Sequence, residues 1–207
     1  MLTAAYNDVF VKVKYTSQKS KTAIAIAASM EHNSTVNLMD YITITGEVVS
    51  IPKKIDTGEH DNGYSTKDIQ IGDTAIFSYY VVGDLSVKDD NHYHKNLVFY
   101  QGQQLFKASI DNIFGVIRNG EIIMINGYVM IEDFKASKLI LPSYLKCLIS
   151  ASKSKLLYIG SPKENEEPIT AKQNDTVYFN PFIVQRYNIG DKKFCIIRQD
   201  QILGVEL

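Results

Sequence analysis

His92 and His94 stand two residues apart, a spacing that sets both imidazoles on one face of a strand and can hold a metal ion. No cysteine or carboxylate at a ligand's spacing completes the pair, and Asp89-Asp90 lies in a polar loop. The expectation is solvated histidines and no metal. Cys147 and Cys195 are too few for a disulfide framework, and both sit among apolar residues, so they read as buried, reduced thiols. Glu164, Glu166 and Glu167 before Pro168 read as a solvated turn. The chain contains no dinucleotide or phosphate loop, no Gly-x-Ser-x-Gly elbow and no His-Glu-x-x-His pair, so neither a cofactor nor catalysis is expected. Two apolar segments remain, Ile24-Ala25-Ile26 and Leu139-Ile140-Leu141-Pro142. The first fits a buried strand, because alternating apolar residues are what a β core requires. The second fits a half-buried strand poorly: three large apolar residues in a row, stopped by proline, suit a docking segment better.

Whatever this chain binds is held by apolar contacts. Its formal net charge is −1 with no block of like charge, so the basic footprint of a nucleic-acid binder is missing. Hydrophobic content of 45% and charged content of 22% are those of an ordinary globular protein, and no run of about 18 apolar residues could span a membrane. Residues 1–6 lead directly into a strand-like stretch and leave no room for a signal peptide. A soluble, cytoplasmic protein is expected.

The elements that position the apolar segments read as strands throughout. Short runs rich in Val, Ile, Tyr and Phe alternate with Gly, Asn, Asp and Ser clusters, without sustained helical periodicity. Strands are predicted over residues 8–14, 41–50, 73–82, 96–100, 113–117, 122–132, 156–159, 176–184, 193–198 and 202–205. Asn119-Gly120, between two apolar runs, predicts a hairpin, since a type I′ turn needs positive φ at both central residues. The chain also repeats itself. Asp73-Thr74-Ala75-Ile76-Phe77-Ser78-Tyr79-Tyr80-Val81-Val82 has a partner in Asp175-Thr176-Val177-Tyr178-Phe179-Asn180-Pro181-Phe182-Ile183-Val184, and Asp111-Asn112-Ile113-Phe114-Gly115-Val116 in Asp200-Gln201-Ile202-Leu203-Gly204-Val205. The order is the same twice, which points to duplication with a boundary at Asn119-Gly120.

With the repeat aligned, each half resembles the co-chaperonin family, the small lids of group I chaperonins. In the first half, Asn7-Asp8-Val9-Phe10-Val11-Lys12-Val13-Lys14 resembles the family's first strand, and Ile24-Ala25-Ile26 stands where its mobile-loop tripeptide would be. Thr45-Gly46-Glu47-Val48-Val49, Ile71-Gly72-Asp73-Thr74-Ala75-Ile76-Phe77 and Ile113-Phe114-Gly115-Val116-Ile117 are similar to the later family strands. The second half carries the series again in Tyr128-Val129-Met130-Ile131-Glu132, Leu139-Ile140-Leu141-Pro142, Leu156-Leu157-Tyr158-Ile159-Gly160, Asn174-Asp175-Thr176-Val177-Tyr178-Phe179 and Ile202-Leu203-Gly204-Val205. The family often has Gly-Gly before the tripeptide, whereas here Thr22-Ala23 and Ser137-Lys138 precede it. Asn174 replaces the glycine of the Gly-Asp turn, tolerably, since Asn visits positive φ. Residues 83–109 look like an insertion.

The resemblance implies an all-β protein of two co-chaperonin-like (GroES-like) β-barrels in tandem, over residues 1–118 and 119–207, with mobile loops at about 15–40 and 134–155. Ile24, Ala25, Ile26, Leu139, Ile140 and Leu141 would bind an apolar groove of a group I chaperonin, capping its folding chamber and regulating its ATP-driven cycle. Residues 53–67 and 164–167 resemble the family's roof segments. In single-domain lids the closing strand of one subunit pairs with the opening strand of the next, building a ring. Here Ile113 and Val116 would lie in such a closing strand and Ile123 and Val129 in the opening strand of the second barrel, joined by Asn119-Gly120. The edges near Val9 and Val11, and near Ile202 and Val205, would pair between chains in a homo-oligomeric ring. Double-domain plastid lids and virus-encoded lids are the nearest settings, and the missing leader favours the latter or a mature form. The alternative is a non-catalytic structural or assembly module, for example a viral component, that keeps the barrels without binding a chaperonin. Limited proteolysis separates the two: a lid is expected to be cut first within residues 16–40 or 134–155, and a structural module to protect both.

Overall fold

The structure is a computed structural model and describes residues 4, 7–13, 44–53, 55, 63–83, 85–88, 91–134, 152–181, 184–189 and 192–206. Nearly all the regular structure of these residues is β. The strands are β1 (Asp8–Lys12), β2 (Thr45–Ser50), β3 (Thr74–Phe77), β4 (Leu85–Lys88), β5 (Asn91–His94), β6 (Leu97–Tyr100), β7 (Gln103–Ser109) and β8 (Ile113–Arg118), followed by β9 (Glu121–Met124), β10 (Tyr128–Glu132), β11 (Ser152–Ile159), β12 (Thr176–Phe179), β13 (Gln185–Ile189), β14 (Lys192–Arg198) and β15 (Ile202–Glu206). Among the described residues, a four-residue helical turn, α1 (Tyr80–Gly83), and two short 3₁₀ turns make up the rest.

Two antiparallel sheets carry the chain, each wrapped around its own core. The first runs β6-β7-β1-β2-β3-β8-β9 and the second β13-β14-β10-β11-β12-β15, while β4 and β5 form a separate hairpin. Alternation does the sorting: in β1, Val9 and Val11 are buried while Asp8, Phe10 and Lys12 face outward. The first core gathers Val9, Val11, Val48, Phe77, Phe106 and Val116, and the second Val129, Ile131, Leu156, Val177, Phe179 and Ile197. Bulges bend the strands at Phe10/Val11 and Ile76/Phe77 and again at Met130/Ile131 and Tyr178/Phe179. Such kinks curl a sheet toward a barrel, giving two barrel-like halves.

The repeat seen in the residues is also a repeat of hydrogen bonds. Val48 donates to Asp73 O and accepts from Gly72 N, both at 2.8 Å; Leu156 donates to Asp175 O at 2.9 Å and accepts from Asn174 N at 2.7 Å. The Asp73 carboxylate accepts from Gln70 N and that of Asp175 from Lys172 N, each at 2.7 Å. Gly72 has φ +93° and Asn174 φ 78°, so asparagine takes the left-handed position that glycine takes in the first half.

Several expectations are corrected. The strand predicted over 73–82 stops at Phe77. Ser78 N donates to Asn112 O, and the chain then coils into α1, whose Val81 and Val82 close the end of the first core. The single strand predicted over 122–132 is two strands, split by a second Asn-Gly pair: Asn126 and Gly127 have φ 53° and 75°, and Tyr128 N returns to Ile125 O. The strand predicted over 176–184 ends at Phe179, two residues before Pro181, which has no N–H to give a ladder. Strands β7, β13, β4 and β5 were not predicted. Because β7 and β6 extend the first sheet beyond β1 as β14 and β13 extend the second beyond β10, about half of the 83–109 insertion has a counterpart, and the β4–β5 hairpin is what is added. Finally, β1 does not have an open edge near Val9 and Val11, because it is hydrogen-bonded to β2 on one side and β7 on the other.

A part-buried ion pair ties β3 to β8 in the first sheet. Arg118 Nε and Nη2 donate to the two oxygens of Asp73, each at 2.8 Å, and Nη2 also reaches Asp68 O at 2.8 Å. The guanidinium holds the Asp73 carboxyl below its ordinary value, against burial, which pushes it up. A lowered folded value means that the stabilisation is present above the unfolded value, about 3.9, and is lost as pH falls through the folded one. Asp73→Asn is therefore expected to cost about 1–3 kcal/mol at neutral pH. Its urea midpoint should converge on that of the parent protein as pH falls from about 5 to below about 3.

Candidate functional site

Ile24, Ala25, Ile26, Leu139, Ile140 and Leu141 lie outside the described residues, but the strands that lead to and from them do not. The first segment leaves β1 and returns to β2, which are paired at Lys12 and Glu47. The second leaves β10 and returns to β11, where Ser154 Oγ donates to Glu132 O at 2.8 Å. Its departing end is well anchored. Phe134 packs edge-on against Phe179 at 4.8 Å, and the Arg186 guanidinium lies 4.9 Å over the Phe134 ring while donating to Phe134 O and to Asp133 Oδ1. Buried Cys195 sits under the same anchor. Desolvation, with the Asp133 carboxylate beside it, pushes its thiol up to about 12, which leaves it unreactive.

The other candidate residues fall in and around the join between the halves. Asn119 and Gly120, with φ 52° and 84°, make the tight turn between β8 and β9. The two strands pair Gly115 with Met124, Val116 with Ile123, Ile117 with Ile122 and Arg118 with Glu121. Gly115 is required there, since a Cβ on it would meet Ile123 O at 2.6 Å. Ile113 lies in β8 and is buried in the first core. Val129 is not brought to this join: it lies in β10, bonded to β11 and β14 inside the second sheet. Ile202 and Val205 lie in β15, the last strand of that sheet.

A third apolar cluster fills the space between the sheets. The first half supplies Ile44, Ile76 and Phe114; β9 supplies Met124; the second half supplies Tyr128, Met130, Tyr187 and Ile196. Phe114 meets Tyr128 edge-on at 4.9 Å and Tyr187 at 5.2 Å. Above this cluster a loop of the first half lies across the second. Ser65 N donates to Asn126 Oδ1, Ser161 Oγ to Asp68 Oδ2 and Glu164 N to Gly63 O, at 2.7–2.8 Å. The Arg198 guanidinium stacks between Tyr64 and Tyr128, 5.5 and 5.0 Å from their centroids, and donates to both hydroxyls. The two segments read as roof-like, 53–67 and 164–167, thus touch each other across the join.

Residues 120–206 match the family model of the Chaperonin 10 Kd subunit. Over those residues the chain is similar to a co-chaperonin domain. No curated protein matches the chain significantly. The match begins at Gly120, so it counts β9 with the matched half, whereas hydrogen bonds place β9 at the edge of the first sheet. One strand therefore belongs to one half by sequence and to the other by pairing. The match also takes in Leu139, Ile140 and Leu141.

Among the described residues no three His, Cys, Asp or Glu side chains gather as metal ligands, and no helix is long and apolar enough to cross a membrane. His92 and His94 fall in β5, opposite Val87 and Leu85 of the added hairpin. Tyr64, Tyr187 and Arg198 escaped the sequence reading, because nothing local marks a guanidinium that will stack on a tyrosine 134 positions away. Removing Phe114, the ring at the centre of the join, is expected to be costly. Phe114→Ala should lose about 3–5 kcal/mol in urea denaturation. A loss below about 1 kcal/mol would show that the halves do not stabilise each other through this cluster.

Proposed function

We propose that the chain is a co-chaperonin: a non-catalytic lid that caps a group I chaperonin's folding chamber and regulates its ATP-driven cycle. The match of residues 120–206 to the Chaperonin 10 Kd subunit carries this reading. The geometry supports it for the first half, which has the same strand order around β1 as the second has around β10, with the same Asp73/Asp175 turn. On this reading the halves are two lid units, 1–118 and 119–207, set side by side as neighbours in a ring. The pairing of β8 with β9 is then a subunit contact made covalent by Asn119-Gly120. Chains join into a homo-oligomeric ring through the β15 edge near Ile202 and Val205.

In this proposal Ile24, Ala25 and Ile26, with Leu139, Ile140 and Leu141, dock in an apolar groove of the chaperonin. Each large side chain buried there contributes about 1.5–3 kcal/mol, while each loop residue fixed costs about 1–2 kcal/mol, so a single loop binds weakly. Several loops on one ring turn weak contacts into avidity, and weakness per loop suits a lid that must be released. The test is co-sedimentation with a group I chaperonin with and without ATP. The full chain is expected to bind in a nucleotide-dependent way, and deletion of residues 24–26 or 139–141 to abolish binding. Binding that survives both deletions would overturn the proposal.

A further inference from the structure

The two sheets end in equivalent strands of different chemistry. β6 is the outermost strand beyond β1 in the first sheet, as β13 is beyond β10 in the second. Leu97 lies opposite Phe106, which lies opposite Val11; Arg186 lies opposite Cys195, which lies opposite Ile131. Val11 and Ile131 are equivalent, each following the bulge of its strand, so Leu97 and Phe99 stand where the second half has Arg186 and Asn188. A charge or a proline on an edge strand discourages other strands from pairing with it. β13 has the charge of Arg186, whereas Leu97-Val98-Phe99-Tyr100 has neither charge nor proline, and Phe99 is 73% exposed.

The backbone of β6 shows which groups are left over. Lys107 N donates to Asn96 O at 2.7 Å, which makes these two a hydrogen-bonded pair at the start of the β6–β7 ladder. Such pairs recur at every second residue, so Val98 and Tyr100 direct their N–H and C=O groups at β7. The N–H and C=O groups of Leu97 and Phe99 point the other way, out of the edge. Among the described residues no strand meets them there.

We infer that the β6 edge pairs with the β6 edge of a second copy, antiparallel and centred on Val98. Leu97 and Phe99 stand symmetrically about Val98, so a two-fold axis there sets Leu97 of each copy opposite Phe99 of the other, and each pair exchanges both N–H···O bonds. Opposed residues share a face of the sheet, so each exposed Phe99 ring lies against the half-buried Leu97 of the other copy. The same register sets Lys95 opposite Gln101, so no like charges oppose each other, whereas a parallel pairing would bring the two lysines together. The contact is isologous and closes at two chains. It uses neither the β15 edge nor the segments proposed to dock, and it holds whether or not the chain is a lid.

Sedimentation velocity and amide hydrogen exchange of the full chain over a concentration series test this. Association is expected to grow with concentration and to slow exchange at Leu97 and Phe99 about tenfold or more, while Val98 and Tyr100, bonded to β7, stay protected at every dilution. Phe99→Lys, at an exposed position, should leave circular dichroism unchanged and weaken association about tenfold or more. Register is read by cross-linking. Val98→Cys sets two thiols at the axis, where the Cα atoms of a non-hydrogen-bonded pair stand about 4.5 Å apart, within disulfide reach, and mild oxidation should link the copies. The parent chain and Tyr100→Cys, whose thiol would face Asn96, should not link. A monomer at every concentration, association that Phe99→Lys leaves unchanged, or linkage through Tyr100→Cys as readily as through Val98→Cys would overturn the inference. So would exchange at Leu97 and Phe99 that is slow at every dilution, because another segment of the same chain would then cover the edge.

Discussion

Everything in this molecule turns on the pairing of β8 with β9. Four residue pairs, closed by a two-residue turn in which Asn119 and Gly120 both take positive φ, fix where the second half begins and how it faces the first. The turn permits no slack, so Met124 must lie beside Gly115 and Tyr128 must arrive beneath Phe114. Shifting the register by one residue would send Ile123 to the opposite face and take Met124 out of the apolar cluster. The cluster, the Arg198 stack and the strap from Gly63 to Asp68 all presuppose that alignment.

Most of the barrel architecture was legible because β structure writes itself in steps of two. The Val9-x-Val11 and Val177-x-Phe179 patterns and the Asn119-Gly120 signal gave strands and a turn that the structure retains. Asn126-Gly127 carries the same signal, but Ile125 and Tyr128 on either side make the stretch read as one long strand. Strands β7 and β13, Gln-Gln-Leu-Phe-Lys-Ala-Ser and Gln-Arg-Tyr-Asn-Ile, have too few apolar residues in alternation to stand out, and they exist because β1 and β10 offer them an edge. Tertiary pairing decided there, against weak local preference.

The site was legible only where it is local. Tripeptides and turns are contiguous and can be read, whereas the join is assembled from Tyr64, Phe114, Tyr128, Tyr187 and Arg198, which meet only after both sheets have formed. Repetition was the one long-range signal available. It located equivalent turns, down to asparagine replacing glycine at residue 174, and it failed at the outer edge of β1 because it says nothing of which strand fills an edge.

The double allegiance of β9 has a consequence for how the molecule can be taken apart. A chain cut at the boundary that the residues suggest, after Arg118, would keep every residue of the first half yet leave β8 with bare N–H and C=O groups along its outer side. The remaining piece would begin with a strand that has lost its ladder to β8. Neither fragment would be a smaller version of the whole: each would carry one unmatched edge made to fit the other, and mixing them would be the way to restore it.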